Sequence, residues 1–316
     1  MSVARDSSRR AWMRTTATAA CSLSVVASPG LAVSAEPDAT NKTTSRTRVQ
    51  LPDGWRAMRK IDMHNHVLDP VHQSGTKWTR VENMIEAAQR LGIETLCCSH
   101  PITGGVLAGI EEVREANDSV IAAMKRYPEK IAGFCFLQPG NGEAAIEELR
   151  RCFDAGMVGV KLYNQFRYND PVMFPIVEKC IELKIPLLGH SAHLTDPKSI
   201  AAQPKTSDSV VFCELSWRYP ELMLILGHIN GGGDWQWAIK ALRDCPNVYL
   251  DTSGSVLEND TIEMCVRELG HERILFATDQ TMEGCVGKIL SAELTAEQRE
   301  DIFWRNARRL LDRRSA

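Results

Sequence analysis

The sequence predicts a closed (β/α)₈ TIM barrel, on three observations. Between residues 60 and 279, eight short β-rich apolar runs alternate with longer helical patterns. The runs are apolar throughout rather than at every second position, which marks strands covered on both faces, as in a parallel sheet. The first run lacks the glycine-rich phosphate turn that opens most doubly wound sheets.

Taken in order, the strand-like runs are Lys60–Val67, Glu94–Ser99, Ile131–Gln138, Val158–Tyr163, Ile185–His190, Leu222–Ile229, Val248–Ser253 and Ile274–Asp279. Helical patterns between them include Val81–Leu91, Ile110–Arg126, Glu143–Ala155, Pro171–Leu183 and Trp235–Asp244. Asn141-Gly142-Glu143 and Asp170-Pro171 read as helix starts, with Pro171 in the first turn, where its missing N–H costs nothing. The last pattern, Thr295–Arg313, is an amphipathic extra C-terminal helix expected to close the outside of the barrel.

The barrel domain is assigned to residues 59–316, and what precedes it reads differently. Ser8-Arg9-Arg10-Ala11-Trp12-Met13-Arg14 has the twin-arginine form of an export address, and an uncharged stretch follows from Thr15 to Ala35. Val33-Ser34-Ala35 supplies the small residues a signal peptidase requires, so residues 1–35 are read as a signal peptide. Residues 36–58 are read as a linker, polar as far as residue 55. The expected location is therefore periplasmic or otherwise extracytoplasmic. Thr15–Ala35 is diluted with Thr, Ser, Pro29 and Gly30, too weakly apolar for a membrane span, and the mature chain is expected to have none. A net charge of −3 and an aromatic fraction of 6% give neither the basic surface nor the stacking platforms that nucleic acid requires. Of ten cysteines, Cys97, Cys98, Cys135, Cys213 and Cys265 lie in apolar runs and no CxxC pair occurs, so buried free thiols are expected rather than disulfides.

In a barrel of this kind, chemistry collects at the C-terminal ends of the strands. The first run ends Asp62-Met63-His64-Asn65-His66. Residues two apart in a strand point to one face, with Cα atoms about 6.6 Å apart, so both imidazoles can reach one ion. The fifth run ends in His190, the sixth carries Gly227-His228 at its end, and the eighth ends in Asp279. Any one of these has an ordinary structural explanation, such as a satisfied buried histidine or a capping aspartate. Together, at matching strand ends, they point to a metal site.

The combination resembles the amidohydrolase superfamily, and its amidohydrolase-related branch that includes aminocarboxymuconate-semialdehyde decarboxylase. Supporting segments are Gly159-Val160-Lys161-Leu162, Gly227-His228-Ile229-Asn230-Gly231-Gly232, Asn247-Val248-Tyr249-Leu250-Asp251-Thr252-Ser253 and Asn306-Ala307-Arg308-Arg309-Leu310. The resemblance implies that His64, His66, His190 and Asp279 ligate one divalent ion, usually zinc. It implies an acid/base or substrate-polarising role for His228 and a proton-transfer role for Asp279. Lys161 stands where binuclear members carry a carboxylated lysine; here an unmodified lysine orienting a substrate oxygen is expected. Tyr163 and Arg167, in the loop after the fourth run, are further candidates for substrate contact. Asp251 is a candidate for holding a histidine in orientation.

Hydrolysis of an ester, lactone or amide-like bond by metal-activated water is the leading functional expectation, and export favours it slightly. The alternative is non-oxidative decarboxylation of an aromatic or unsaturated acid, which the same branch performs with the same ligands. A barrel that only binds is the remote third reading, since no ligand position is lost. The partner expected is a small molecule, with self-association into a homo-oligomer as an option.

Overall fold

In the computed structural model of the chain, the structure describes residues 51–68, 78–230 and 234–313. The signal peptide expected in residues 1–35 and most of the linker lie outside the described residues. At the linker's end, Trp55–Ala57 form a 3₁₀ turn, and the Lys60 ammonium donates to Trp55 O at 2.7 Å and Met58 O at 2.8 Å.

Eight parallel strands follow in sequential order: β1 Ile61–His66, β2 Thr95–Ser99, β3 Ile131–Phe136, β4 Gly159–Leu162, β5 Leu187–Gly189, β6 Leu224–Leu226, β7 Val248–Asp251 and β8 Ile274–Leu275. At the seam between the last and first strands, Met63 N donates to Phe276 O at 3.0 Å and Asp279 N donates to His64 O at 2.8 Å. The outer layer comprises α1 Thr79–Arg90, α2 Ile110–Arg126, α3 Glu143–Asp154, α4 Phe174–Glu182, α5 Pro197–Ala202, α6 Ser209–Arg218, α7 Trp235–Ala241, α8 Thr261–Leu269 and α9 Met282–Ser291. This is the TIM barrel that continuous strand hydrophobicity predicts. Helix α4 starts later than expected because Pro171–Met173 form a 3₁₀ turn, capped by the Asp170 side chain accepting from Val172 N.

Two apolar layers hold the barrel. One lies between strands and helices. The other fills the lumen, where Ile61, Met63, Cys97, Phe134, Leu188, Ile225 and Leu275 from six strands form one buried cluster. Ala307 and Leu310 belong to this inner cluster. They lie on α11 Asn306–Asp312, reached through α10 Ala296–Glu300 and a π-helical turn over Asp301–Arg305. Asn306 Nδ2 donates to Ile274 O at 2.7 Å, at the start of β8. The C-terminal helical segment therefore plugs the floor of the barrel, where an outer position had been expected. The small Ala307 and the Leu310 side chain fit the apolar lumen end, with Trp304 and Leu311 packed against the same cluster.

The cysteine expectation needs one correction. Cys213 of α6 and Cys245 beyond α7 form a disulfide, with Cα atoms 5.6 Å apart. Neighbouring packing of α6 and α7 brings together two thiols 32 residues apart, a juxtaposition that spacing alone does not reveal. Cys97, Cys98, Cys135 and Cys265 are free and buried, as their apolar runs predict, and Cys152, Cys180 and Cys285 are free and buried too.

Candidate metal centre

The histidine pair depends on a local irregularity of β1. The register against β2 slips between Asp62 and Asn65, so one extra residue is accommodated. A bulge of this kind re-aims side chains. Met63 packs into the lumen cluster, and its immediate neighbour His64 still turns toward the mouth of the barrel with His66. Asp62 secures the bulge. It accepts from His64 N at 3.2 Å, Asn65 Nδ2 at 2.7 Å, Thr278 N at 2.9 Å and the Thr278 hydroxyl at 2.6 Å. Those bonds tie β1 to the residue preceding Asp279.

Ligand atoms of His64, His66 and Asp279 all lie within 4.8 Å of one another. Two imidazoles and a carboxylate at this spacing suit a divalent ion of borderline softness. His66 Nε2 is 2.9 Å from Asp279 Oδ1, and His66 Nδ1 is 3.2 Å from the Ser99 hydroxyl. His64 Nδ1 donates to Asp251 Oδ2 at 2.7 Å, which leaves Nε2 with its lone pair exposed to the centre. A carboxylate behind a ligating histidine is a recurring support of metal sites. His190 is not within that mutual reach; its Nδ1 lies 2.9 Å from His228 Nε2, so it joins the group through His228. His228 Nδ1 is 3.1 Å from the Ser253 hydroxyl and 3.5 Å from Asp279 Oδ2.

The side chains past the strand ends are aimed by uncommon backbone. His228 and Ile229 have φ of 72° and 45°, and Asp279 and Gln280 have φ of 44° and 69°. Left-handed non-glycine residues cost on the order of 1–3 kcal/mol each and persist where surroundings over-determine them. Here Asp251 Oδ1 accepts from His228 N at 3.0 Å, and Ile229 is fully buried in the core.

Burial dominates the electrostatics. It lowers His64 to about 4, with Lys161 adding to the shift, and lowers His228 to about 3, with His64 adding to it. Both rings are thereby held neutral, the form that ligates metal or accepts a proton. Burial works against the Asp251 and Asp279 charges, yet the surrounding histidines hold both carboxyls well below the usual range.

Lys161 is fully buried, and its ammonium sits 2.8 Å from His64 Nε2. Burial lowers it to about 8, with Asp279 and Asp251 opposing the shift. The nitrogen it engages is the one an ion would use. Tyr163 stacks on His190 with centroids 4.0 Å apart. Arg167 is exposed and donates to Pro204 O at 3.4 Å, away from the ligand cluster. His193 pairs with Asp208 at 3.3 Å and stacks on Trp237, away from the ligands. A cavity of about 430 Å³, of a size that suits a small molecule, opens beside His66. Arg80 and Glu283 are the charged groups on its wall, together with Met84 and Met282.

Sequence reasoning missed Ser253, Ser99, Asp62 and Thr278. Ser253 stands two residues after Asp251, and strand alternation would have put both on one face.

The amidohydrolase family model matches residues 61–313. A gamma-resorcylate decarboxylase of Polaromonas sp. is 25% identical over 259 residues, covering 63% of this chain and 76% of the relative. A 2-keto-4-carboxy-3-hexenedioate hydratase of Sphingobium sp. is 24% identical over 263 residues, covering 68% and 76%. A dihydroxybenzoic acid decarboxylase of Polaromonas sp., solved with bound manganese and the inhibitor 2-nitroresorcinol, superposes with a TM-score of 0.61 at 21% identity, covering 81% of this chain and 96% of that one.

Proposed function

The chain belongs to the amidohydrolase family, and from that premise we propose that it is a metal-dependent carboxy-lyase releasing CO₂ from an aromatic or unsaturated acid. The observation that carries this reading is the buried cation at the centre. Among the described residues Lys161 has no carboxylate within hydrogen-bonding reach, and its ammonium meets His64 Nε2 at 2.8 Å. With His64 Nε2 committed as a ligand, the Lys161 ammonium would be free to hold an anionic substrate. A buried cation suits a carboxylate better than a neutral ester or lactone. Relatives named as decarboxylases support the same direction and shift the balance away from hydrolysis.

His64, His66 and Asp279 would hold the ion, with His190 as a fourth ligand through its Nε2. The ion, when bound, draws electrons from the substrate's oxygens as a Lewis acid. Zinc and manganese both suit the donor set. Lys161 holds the carboxylate, and Tyr163 with His190 offers a flat face to an unsaturated body. Breaking the C–C bond expels CO₂ and leaves its electron pair on carbon. A solvent proton relayed through the His228 and Asp279 pair replaces the lost group, so that carboxylate and proton go to R–H and CO₂. Arg167 has no part in this reading, and the carboxylate role passes to Lys161 and to Arg80 on the cavity wall.

The test is a screen of zinc- and manganese-loaded protein against 2,6-dihydroxybenzoate, other aromatic acids, lactones, esters and amides. CO₂ release from an acid is expected, with His64→Ala and Asp279→Ala losing at least about 100-fold in kcat/KM and most of the bound metal. Turnover confined to lactones or esters would return the chain to the hydrolase reading.

A further inference from the structure

We propose that Ser253 is a positioning residue that fixes the tautomer of His228, so that Nδ1 carries the ring proton and Nε2 presents its lone pair. The inference rests on His228 as the proton-transfer group of the function proposed above. It follows from counting donors and acceptors around Asp251 and Ser253, both fully buried.

The Ser253 hydroxyl lies 2.5 Å from Asp251 Oδ1 and gives it its only proton. A carboxylate that already accepts from His228 N and Ser253 N on the same oxygen has no proton to return. Ser253 Oγ can therefore only accept from His228 Nδ1, 3.1 Å away. The other group near Nδ1, Asp279 Oδ2 at 3.5 Å, is also an acceptor, so both neighbours demand a proton there. His64 Nδ1, 3.4 Å from Ser253 Oγ, spends its proton on Asp251 Oδ2 and does not disturb the assignment.

The consequence propagates. With Nδ1 protonated, neutral His228 has a bare Nε2, which accepts from His190 Nδ1 at 2.9 Å. His190 is then protonated on Nδ1, and its Nε2 keeps the lone pair that a metal ligand needs. One hydroxyl thus sets the tautomers of two rings by way of Asp251. Removing it leaves His228 Nδ1 with only the distant Asp279 oxygen. The backbone bonds to Asp251 remain, so the loop is expected to survive the change.

The test uses the zinc-loaded full chain with ¹⁵N-labelled histidine, His228 being identified by the signals lost in His228→Gln. Long-range ¹H–¹⁵N spectra should show His228 protonated at Nδ1 and bare at Nε2. Ser253→Ala should shift the ring to a mixture or to the opposite tautomer, and Ser253→Thr should restore it. On the acid turned over best, Ser253→Ala should lower kcat about 10- to 100-fold with KM nearly unchanged, and Thr should recover it. A wild-type ring protonated at Nε2, or an unaltered spectrum in Ser253→Ala, would overturn the inference. The wild-type spectrum decides it even if the alanine variant does not fold. Absence of turnover on every acid would sink the carboxy-lyase reading while leaving the ring signature to be judged by itself.

Discussion

Asp251 joins the parts of the centre at the residue scale. It is fully buried, and it orients His64 through one oxygen and the His228 backbone through the other. That a carboxylate at the end of the seventh strand would hold a histidine was legible in the sequence. That it would also organise Ser253 was not, because the link runs through space between two chain segments. Asp251→Asn replaces an acceptor with a donor opposite either His64 Nδ1–H or the backbone N–H groups. It should cost 10- to 100-fold in metal affinity, on the order of 1.4–2.7 kcal/mol, while leaving His66 and Asp279 in place. Metal titration of the variant against wild type checks this; equal affinities would remove Asp251 from the support of the site.

At the scale of elements, the strands are shorter than their apolar runs. β5, β6 and β8 end at Gly189, Leu226 and Leu275, while His190, His228 and Asp279 follow on the chain that turns away. Apolar residues beyond these ends, such as Ile229 and Phe276, are buried without being strand, which is why hydrophobicity alone overran the boundaries. The bulge in β1 escaped for a related reason, since a register slip is defined only against a partner strand. The Cys213–Cys245 bridge likewise belongs to a pair of elements. A loop of 32 residues gives up to about 3–4 kcal/mol in the chain-entropy picture. Cys213→Ser should lower the unfolding midpoint by several degrees, since 1 kcal/mol moves a domain of this size by about 2–4 °C. Calorimetry with and without reductant measures it, and coincident midpoints would show that the bridge is energetically idle.

At the scale of the whole molecule, the barrel mouth gathers polar ends from seven strands, all but β3, while α11 packs Ala307 and Leu310 into the opposite end. No described helix is long and apolar enough to cross a membrane. Export through the twin-arginine address of residues 1–35 remains our proposal, and it fits a barrel that folds and takes up metal before translocation. Expression with the native N-terminus should yield a periplasmic product starting at Glu36, read by N-terminal sequencing. Substituting Arg9 and Arg10 by lysine should retain the protein inside the cell. Export unaffected by that change would exclude the route.

Residue order alone carries the barrel and the candidate positions His64, His66, His190, His228 and Asp279. Strand burial and strand-end polarity are local patterns, written directly in residue order. Tertiary structure decided how those positions pair: His64, His66 and Asp279 converge, His190 meets His228, and Lys161 stands at the nitrogen an ion would use. It also decided the disulfide, the floor plug and the Ser253 link. Each of these depends on distances between segments far apart in the chain, which closing the barrel sets and no spacing within one segment encodes.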